Sequence, residues 1–162
     1  MTDPDPIALE PRTVAASRTE MNELVFPQHT NAYGSVFGGQ VMWWIDMCAG
    51  ICAQRHCSRV VVTASVDDLV FESPLRVGEC VHLVSRVNAA FRTSVEVEVT
   101  VEGEDLATRE RRPCVQARMT FVALDDDGKP REVPGLLLQT DEERARAAAA
   151  AERRRGRLTR RR

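Results

Sequence analysis

Asp46 is the only charged side chain between Gln40 and Gln54, and its immediate neighbours include Trp44, Ile45, Met47 and Cys48. An isolated carboxylate in apolar surroundings is costly to bury unless it is paired or hydrogen-bonded. Either it takes part in chemistry, or it caps a neighbouring loop or meets an arginine across an interface; the residue alone leaves both open. Gly38 and Gly39 stand about two helical turns upstream, ~10 Å along a helix axis. At a helix start, free backbone N–H groups and the positive end of the dipole can hold a carbonyl oxygen that becomes negative in a transition state. Such donors and a buried acid on one helix suit attack on a carbonyl carbon, with acid and donors free to come from different subunits. Asn31, in the preceding loop, can polarise a carbonyl or orient a water, although in a loop asparagine more often serves a turn.

Other chemistry is less well supported. Cys48, Cys52 and His56 fall at i, i+4 and i+8 on one helical face. The C-x2-C pairing usual in zinc sites is missing and no fourth ligand is evident, so small cysteines packing against a sheet are the simpler reading. His29, His56 and His82 have no serine or cysteine partner visible in the sequence. The stretch Gly34–Gly38 is not G-x-S-x-G, because Ser35 directly follows its glycine, and YGSVFGG matches neither G-x-G-x-x-G nor a P-loop. Hydride transfer and nucleotide hydrolysis are therefore unsupported.

The elements that must position these residues follow from pattern. The chain has 162 residues, 43% of them hydrophobic and 28% charged, which excludes collagen-like, coiled-coil and wholly disordered classes. The net charge of -2 is uneven: residues 141–162 hold nine arginines against four acids, and the remainder carries 13 basic and 20 acidic residues. An acidic body argues against a dedicated nucleic-acid protein despite the terminal RRRGRLTRRR. The five cysteines lack a framework spacing, which fits a reduced, cytoplasmic setting. MTDPDPIALEP has neither the basic nor the apolar region of a signal peptide, and Val41–Ala53 is shorter than the ~20 residues of a membrane span.

Residues 1–11, with Pro4, Pro6 and Pro11, are expected to be a disordered lead-in, residues 12–140 one domain, and residues 141–162 a solvated helix fraying into a basic tail. Within the domain, Arg12–Phe26 is a weakly alternating strand candidate, and PQHTNAYGSVFGG is a loop. The run from Gln40 to about His56 makes a helix of four or five turns, apolar nearly all round and so buried on most faces. Strand texture follows at 60–71, 80–91, 94–102 and 114–124. In SVEVEVTVE, Val95, Val97, Val99 and Val101 alternate with Glu96, Glu98, Thr100 and Glu102, giving a half-buried strand with a wet outer face. The expected fold is α+β: a curved antiparallel sheet of about five strands wrapped round one long helix and paired with a second copy.

The motif N-x-x-G-x-x-F-G-G-x-x-x-x-x-x-D, here Asn31, Gly34, Phe37, Gly38, Gly39 and Asp46, resembles the hotdog-fold acyl-CoA thioesterases, in particular the cytosolic brain-type hydrolases and their bacterial single-domain relatives. AQRHC (53–57), VVTASVD (61–67), Phe71-x-x-Pro74-x-x-x-Gly78, TSVEVEV (93–99) and FVALDDDGKPREVP (121–134) agree in order and spacing. The resemblance covers about residues 20–145.

It implies a dimer of hotdogs, commonly a trimer of dimers, that hydrolyses acyl-CoA to free acid and coenzyme A with no metal and no cofactor beyond the coenzyme A of the substrate. By that resemblance Asp46 is the general base or nucleophile, Asn31 acts with it across the dimer interface, and backbone N–H groups at Gly38 and Gly39 hold the thioester oxygen. Arg92, Thr93 and Ser94 would meet the coenzyme A. No membrane or nucleic-acid partner is implied. Two further readings stay open: a hotdog protein that binds acyl-CoA without hydrolysing it, and an acyl-thioester dehydratase, for which His29 is the nearest histidine.

Overall fold

The computed structural model describes residues 9–160. The sheet has five strands: β2 (Thr19–Leu24), β3 (Val61–Phe71), β4 (Cys80–Ala90), β5 (Ser94–Glu104) and β6 (Arg111–Ala123). They lie in the order β2-β4-β5-β6-β3, every pair antiparallel. Register shifts in β3, β4 and β6 mark bulges, which bend strands and curl the sheet. In the hollow lies α2 (Gly38–Cys57), a helix of 20 residues and so ~30 Å long.

Val41, Trp44, Ile45, Cys48, Ala49, Cys52, Ala53 and His56 of α2 are buried. Their spacing is a single helical stripe. The cysteines and alanines keep the helix close to the valines of β4 and β5, including Val81, Val87, Val95, Val97, Val99 and Val101. Burial pushes the thiols of Cys52 and Cys57 up to about 11 and about 12, so they stay protonated and pack. Cys48 donates to Ser85 Oγ at 3.3 Å. The cysteine stripe is core, as expected.

The helix is not covered on most of its faces. Met42, Trp43 and Ile51 are 42%, 58% and 40% exposed, because one sheet reaches only one side of it.

The C-terminal end of α2 is tied down by the chain's N-terminal segment. Arg12–Phe26 is not one strand: it divides into β1 (Arg12–Thr13), a single turn α1 (Val14–Ser17) and β2. Thr13 caps that turn, its Oγ1 accepting from Ala16 N at 3.2 Å, which diverts the chain before β2 begins. β1 pairs in parallel with β7 (Leu136–Leu137), a strand absent from the periodic pattern because it is two residues long. From this platform Arg12 donates to the Arg55 and His56 carbonyls at 2.8 and 2.7 Å, placing a cation at the negative end of the helix. Buried His56 donates from Nε2 to the Pro134 carbonyl at 2.9 Å, and its Nδ1 has no partner.

The outer face of β5 is wet only toward its end, where the Glu102 side chain is 46% exposed. Glu96 and Glu98 are 0% and 4% exposed, covered by α3 (Asp141–Arg160). That helix is docked rather than solvated. Its start is a capping box: Glu143 N donates to Thr140 Oγ1 at 3.1 Å, and Glu143 Oε2 accepts from Thr140 N at 3.3 Å. Arg153 binds Glu96 through two nitrogens, at 3.1 and 2.6 Å. Arg146 and Arg118 flank Glu98, Arg157 pairs with Asp67, and Arg154 lies 4.7 Å above the Phe91 ring. The acidic body and the basic end of the chain are two halves of one interface. Residues 161–162 of the tail, and residues 1–8 of the expected lead-in, lie outside the described residues.

Two stability predictions follow from these contacts. Arg153→Met leaves Glu96 buried without its cation and should cost roughly 3–5 kcal/mol, with Glu96→Gln in the same chain recovering part of it in thermal melts. Burial foremost, then the Arg12 charge, holds His56 below its ordinary 6.5, against the opposing Pro134 bond. The unfolded chain therefore takes up that proton first. His56's contribution is present above pH 6.5 and is lost as the pH falls through the folded value. Chemical denaturation at steps below pH 6.5 should show wild type losing more stability than His56→Gln.

Candidate active site

Asp46 sits on the side of α2 turned away from the core, and within one chain it is exposed rather than buried. Its Oδ1 accepts a 2.7 Å hydrogen bond from Thr63 Oγ1 on β3. That bond fixes the carboxylate on the helix flank beside the sheet. Sequence reasoning passed over Thr63, although it lies inside the quoted VVTASVD block; a strand threonine carries no signal until its helical partner is known.

The helix start is built as expected. α2 begins at Gly38, and Phe37 before it provides no side-chain cap, so the first-turn N–H groups depend on other partners. Gly38 and Gly39 are exposed. A methyl at Gly39 would meet nothing within 4 Å. Beside Gly38 opens a cleft of about 380 Å³ whose lining includes Ser35, Val36, Val41, Phe71 and Leu75. It is mostly apolar, with the helix's positive end at its rim.

Asn31 closes the loop before α2. Its Oδ1 accepts from Tyr33 N at 2.9 Å and from Ser35 Oγ at 3.3 Å. That is an Asx turn, followed by Gly34 at φ +76°, a left-handed position that suits glycine. His29 is taken up by structure: Nδ1 accepts from Phe26 N at 3.1 Å and the ring packs edge-on to Trp44 with centroids 5.1 Å apart.

Arg92 and Thr93 form the β4–β5 turn and Ser94 opens β5. The turn is anchored by Val133 N donating to the Arg92 carbonyl and Ala123 N to the Thr93 carbonyl, each at 3.0 Å. Thr63 pairs with Phe121, and Phe121 with Val95, so this turn shares one end of the sheet with Asp46 and Thr63, ~10 Å across two strand spacings. The helix start is at the other end, where an added Gly38 Cβ would lie 3.6 Å from Phe71. Eight residues separate Gly38 from Asp46, ~12 Å along the axis. One chain thus brings Asp46, Thr63 and the Arg92–Ser94 turn to one end, and Asn31 with the glycines to the other.

The profile of the thioesterase superfamily matches residues 33–109. An uncharacterized acyl-CoA thioester hydrolase of Bacillus subtilis is 42% identical over 134 residues, covering 83% of this chain and 78% of that protein. The chain belongs to the thioesterase superfamily. Among solved relatives of this hotdog-fold family, an apo hexameric acyl-CoA thioesterase superposes with a TM-score of 0.89 at 39% identity, covering 93% of this chain and 97% of the other. An acyl-CoA hydrolase of Staphylococcus aureus, solved with butyryl coenzyme A and coenzyme A, gives 0.85 at 37% identity over 93% and 92%. That enzyme has also been solved with an asparagine, an aspartate and a threonine each replaced by alanine. They are spaced 15 and 17 residues apart, as Asn31, Asp46 and Thr63 are here. The mammalian relatives are longer: the chain spans 24% of mouse acyl-coenzyme A thioesterase 11, at 39% identity. No helix of the described residues is long and apolar enough to cross a membrane.

Because Asp46 and Thr63 are exposed on a fixed scaffold, Asp46→Asn and Thr63→Val should each change folding stability by less than about 1 kcal/mol. A drop of several kcal/mol in denaturant titration would assign the pair to structure instead of chemistry.

Proposed function

We propose that this thioesterase-superfamily protein hydrolyses acyl-CoA to the free acid and coenzyme A, at sites assembled by two copies of the chain. The observation that carries this reading is the bond between Asp46 on α2 and Thr63 on β3, the terminal strand of the sheet.

The edge explains the second copy. β3 is 11 residues long and terminal in the sheet, and Val62, Val66, Val70 and Phe71 on it are exposed, as are Met42 and Trp43 of α2. A long apolar edge invites pairing. A two-fold axis at the middle of β3 makes that pairing antiparallel and sets the start of one β3 against the end of its partner's. Asp46 and Thr63 of one chain then approach the partner's helix start, Asn31 loop and apolar cleft. The donor end and the acid end, which one chain keeps apart, meet twice in the dimer. Assembly of three such dimers gives a hexamer, the state of the solved relative.

At each joint site the acyl chain enters the apolar cleft and the thioester oxygen lies at the Gly38 and Gly39 N–H groups. Thr63 holds one Asp46 oxygen and leaves the other to take a proton from water as the water oxygen attacks the carbonyl carbon. The C–S bond breaks as the tetrahedral intermediate collapses, and the proton that Asp46 took from water passes to the leaving coenzyme A thiolate, which restores the carboxylate. Asn31 orients the thioester or the water through its amide. The Arg92–Ser94 turn, on the Asp46 side, offers a cation and hydroxyls to the coenzyme A. No step calls for a metal or added cofactor. His29, held by the Phe26 N–H and edge-on to Trp44, favours hydrolysis over dehydration.

Thiol release measured over short to long acyl-CoA esters should show turnover in wild type and a loss of roughly 10²–10⁴-fold in Asp46→Asn. Retained coenzyme A ester binding with no wild-type turnover on any chain length would favour the binding-only reading. Co-expression of Asp46→Asn with Asn31→Ala separates the cross-subunit site from a single-chain one. Half the dimers would be mixed and each would hold one intact site, so about a quarter of wild-type activity should return; a site within one chain returns none.

A further inference from the structure

We propose that Cys80, His82 and Glu104 form a binding site for a thiophilic divalent cation, zinc foremost, on the outer face of the sheet and apart from the Asp46 region. Cys80 stands directly opposite Glu104 in the β4–β5 ladder, and His82 is two residues on along β4. All three therefore project from one face. Their ligand atoms, Cys80 Sγ, a His82 ring nitrogen and a Glu104 oxygen, lie within 4.8 Å of one another. Zinc bonds of ~2.0–2.3 Å need ligand separations only slightly shorter than this.

The contacts of His82 fix how it is presented. Its Nδ1 lies 2.5 Å from Asn22 Oδ1 on β2, and its Nε2 contacts Glu104 Oε2. Cys80 Sγ lies within reach of the same two groups, so the three close on one ion when it takes the place of the direct Nε2–carboxylate contact. With Nδ1–H held by Asn22, Nε2 is presented as a ligand in a fixed tautomer and orientation, the arrangement that metal-bound histidines use. A thiolate and a carboxylate supply two negative charges for a divalent ion. Sulfur with imidazole selects zinc or cobalt over magnesium or calcium. Arg111 Nε is 3.4 Å from Glu104 Oε2, but its side chain is 51% exposed and free to swing away.

The reduced, untagged full-length protein should bind one equivalent of Co²⁺ per chain, with a thiolate-to-cobalt charge-transfer band that added Zn²⁺ abolishes. Cys80→Ser should remove the band. His82→Gln and Asn22→Ala should weaken Zn²⁺ binding in competition titrations by about ten- to a hundredfold. Absence of the band overturns the site and leaves His82 and Glu104 as a hydrogen-bonded pair. So does a band that survives Cys80→Ser, since the thiolate would then come from another cysteine. If Cys80→Ser does not fold, His82→Gln decides alone: unchanged affinity overturns the proposal.

Discussion

A five-stranded sheet can cover only one side of a helix, and much of this molecule follows from that limit. The stripe from Val41 to His56 satisfies the sheet with cysteine, alanine and valine packed at close range. The opposite side keeps Met42, Trp43 and Asp46 in solvent beside β3, whose own edge is unpaired. A surface that apolar and that extended is stable in water only when something covers it. In the dimer proposed above, the helix that closes the core also meets the second copy, and the acid it carries stands at that boundary.

Electrostatics solve a second covering problem on the outer face. β5 places Glu96 and Glu98 where an isolated carboxylate would be unfavourable, and α3 brings arginines to them. The two-nitrogen grip of Arg153 on Glu96, with Asn88 Nδ2 donating at 3.1 Å, satisfies a fully buried acid. Farther along the same face Asn22, His82, Cys80 and Glu104 meet. The two ends differ in their partners: arginines of α3 hold the glutamates at one, and a histidine, a cysteine and Arg111 surround Glu104 at the other.

Much of the fold was legible in the sequence because periodicity is a local property. The long helix and the four strands after it lie close to their expected bounds, since Pro74, Gly78 and Gly128 punctuate runs of clear period. Arg12–Phe26 misled because Thr13 diverts the chain through a capped turn, an event that alternation does not encode. β7 escaped because two residues have no period, and it exists only through pairing with β1. The wet face assigned to Glu96 and Glu98 failed for a different reason: alternation reports which residues avoid the core, not what lies above them.

Asp46, Asn31, Gly38 and Gly39 were conspicuous from residue type and spacing, because an acid in an apolar helix and glycines at a helix start are unusual combinations in themselves. The sequence by itself determined the long helix, the four strands after it, their order along the chain and which residues could do chemistry, all of which rest on near-neighbour sterics and hydrophobic period. Only the tertiary structure decided that Thr63 holds Asp46, that Arg92–Ser94 lies at the acid's end of the sheet and the glycines at the other, and that Cys80, His82 and Glu104 converge. Those relations join strands and helices far apart in the chain, and their distances are set by sheet register and curvature, which no local pattern contains.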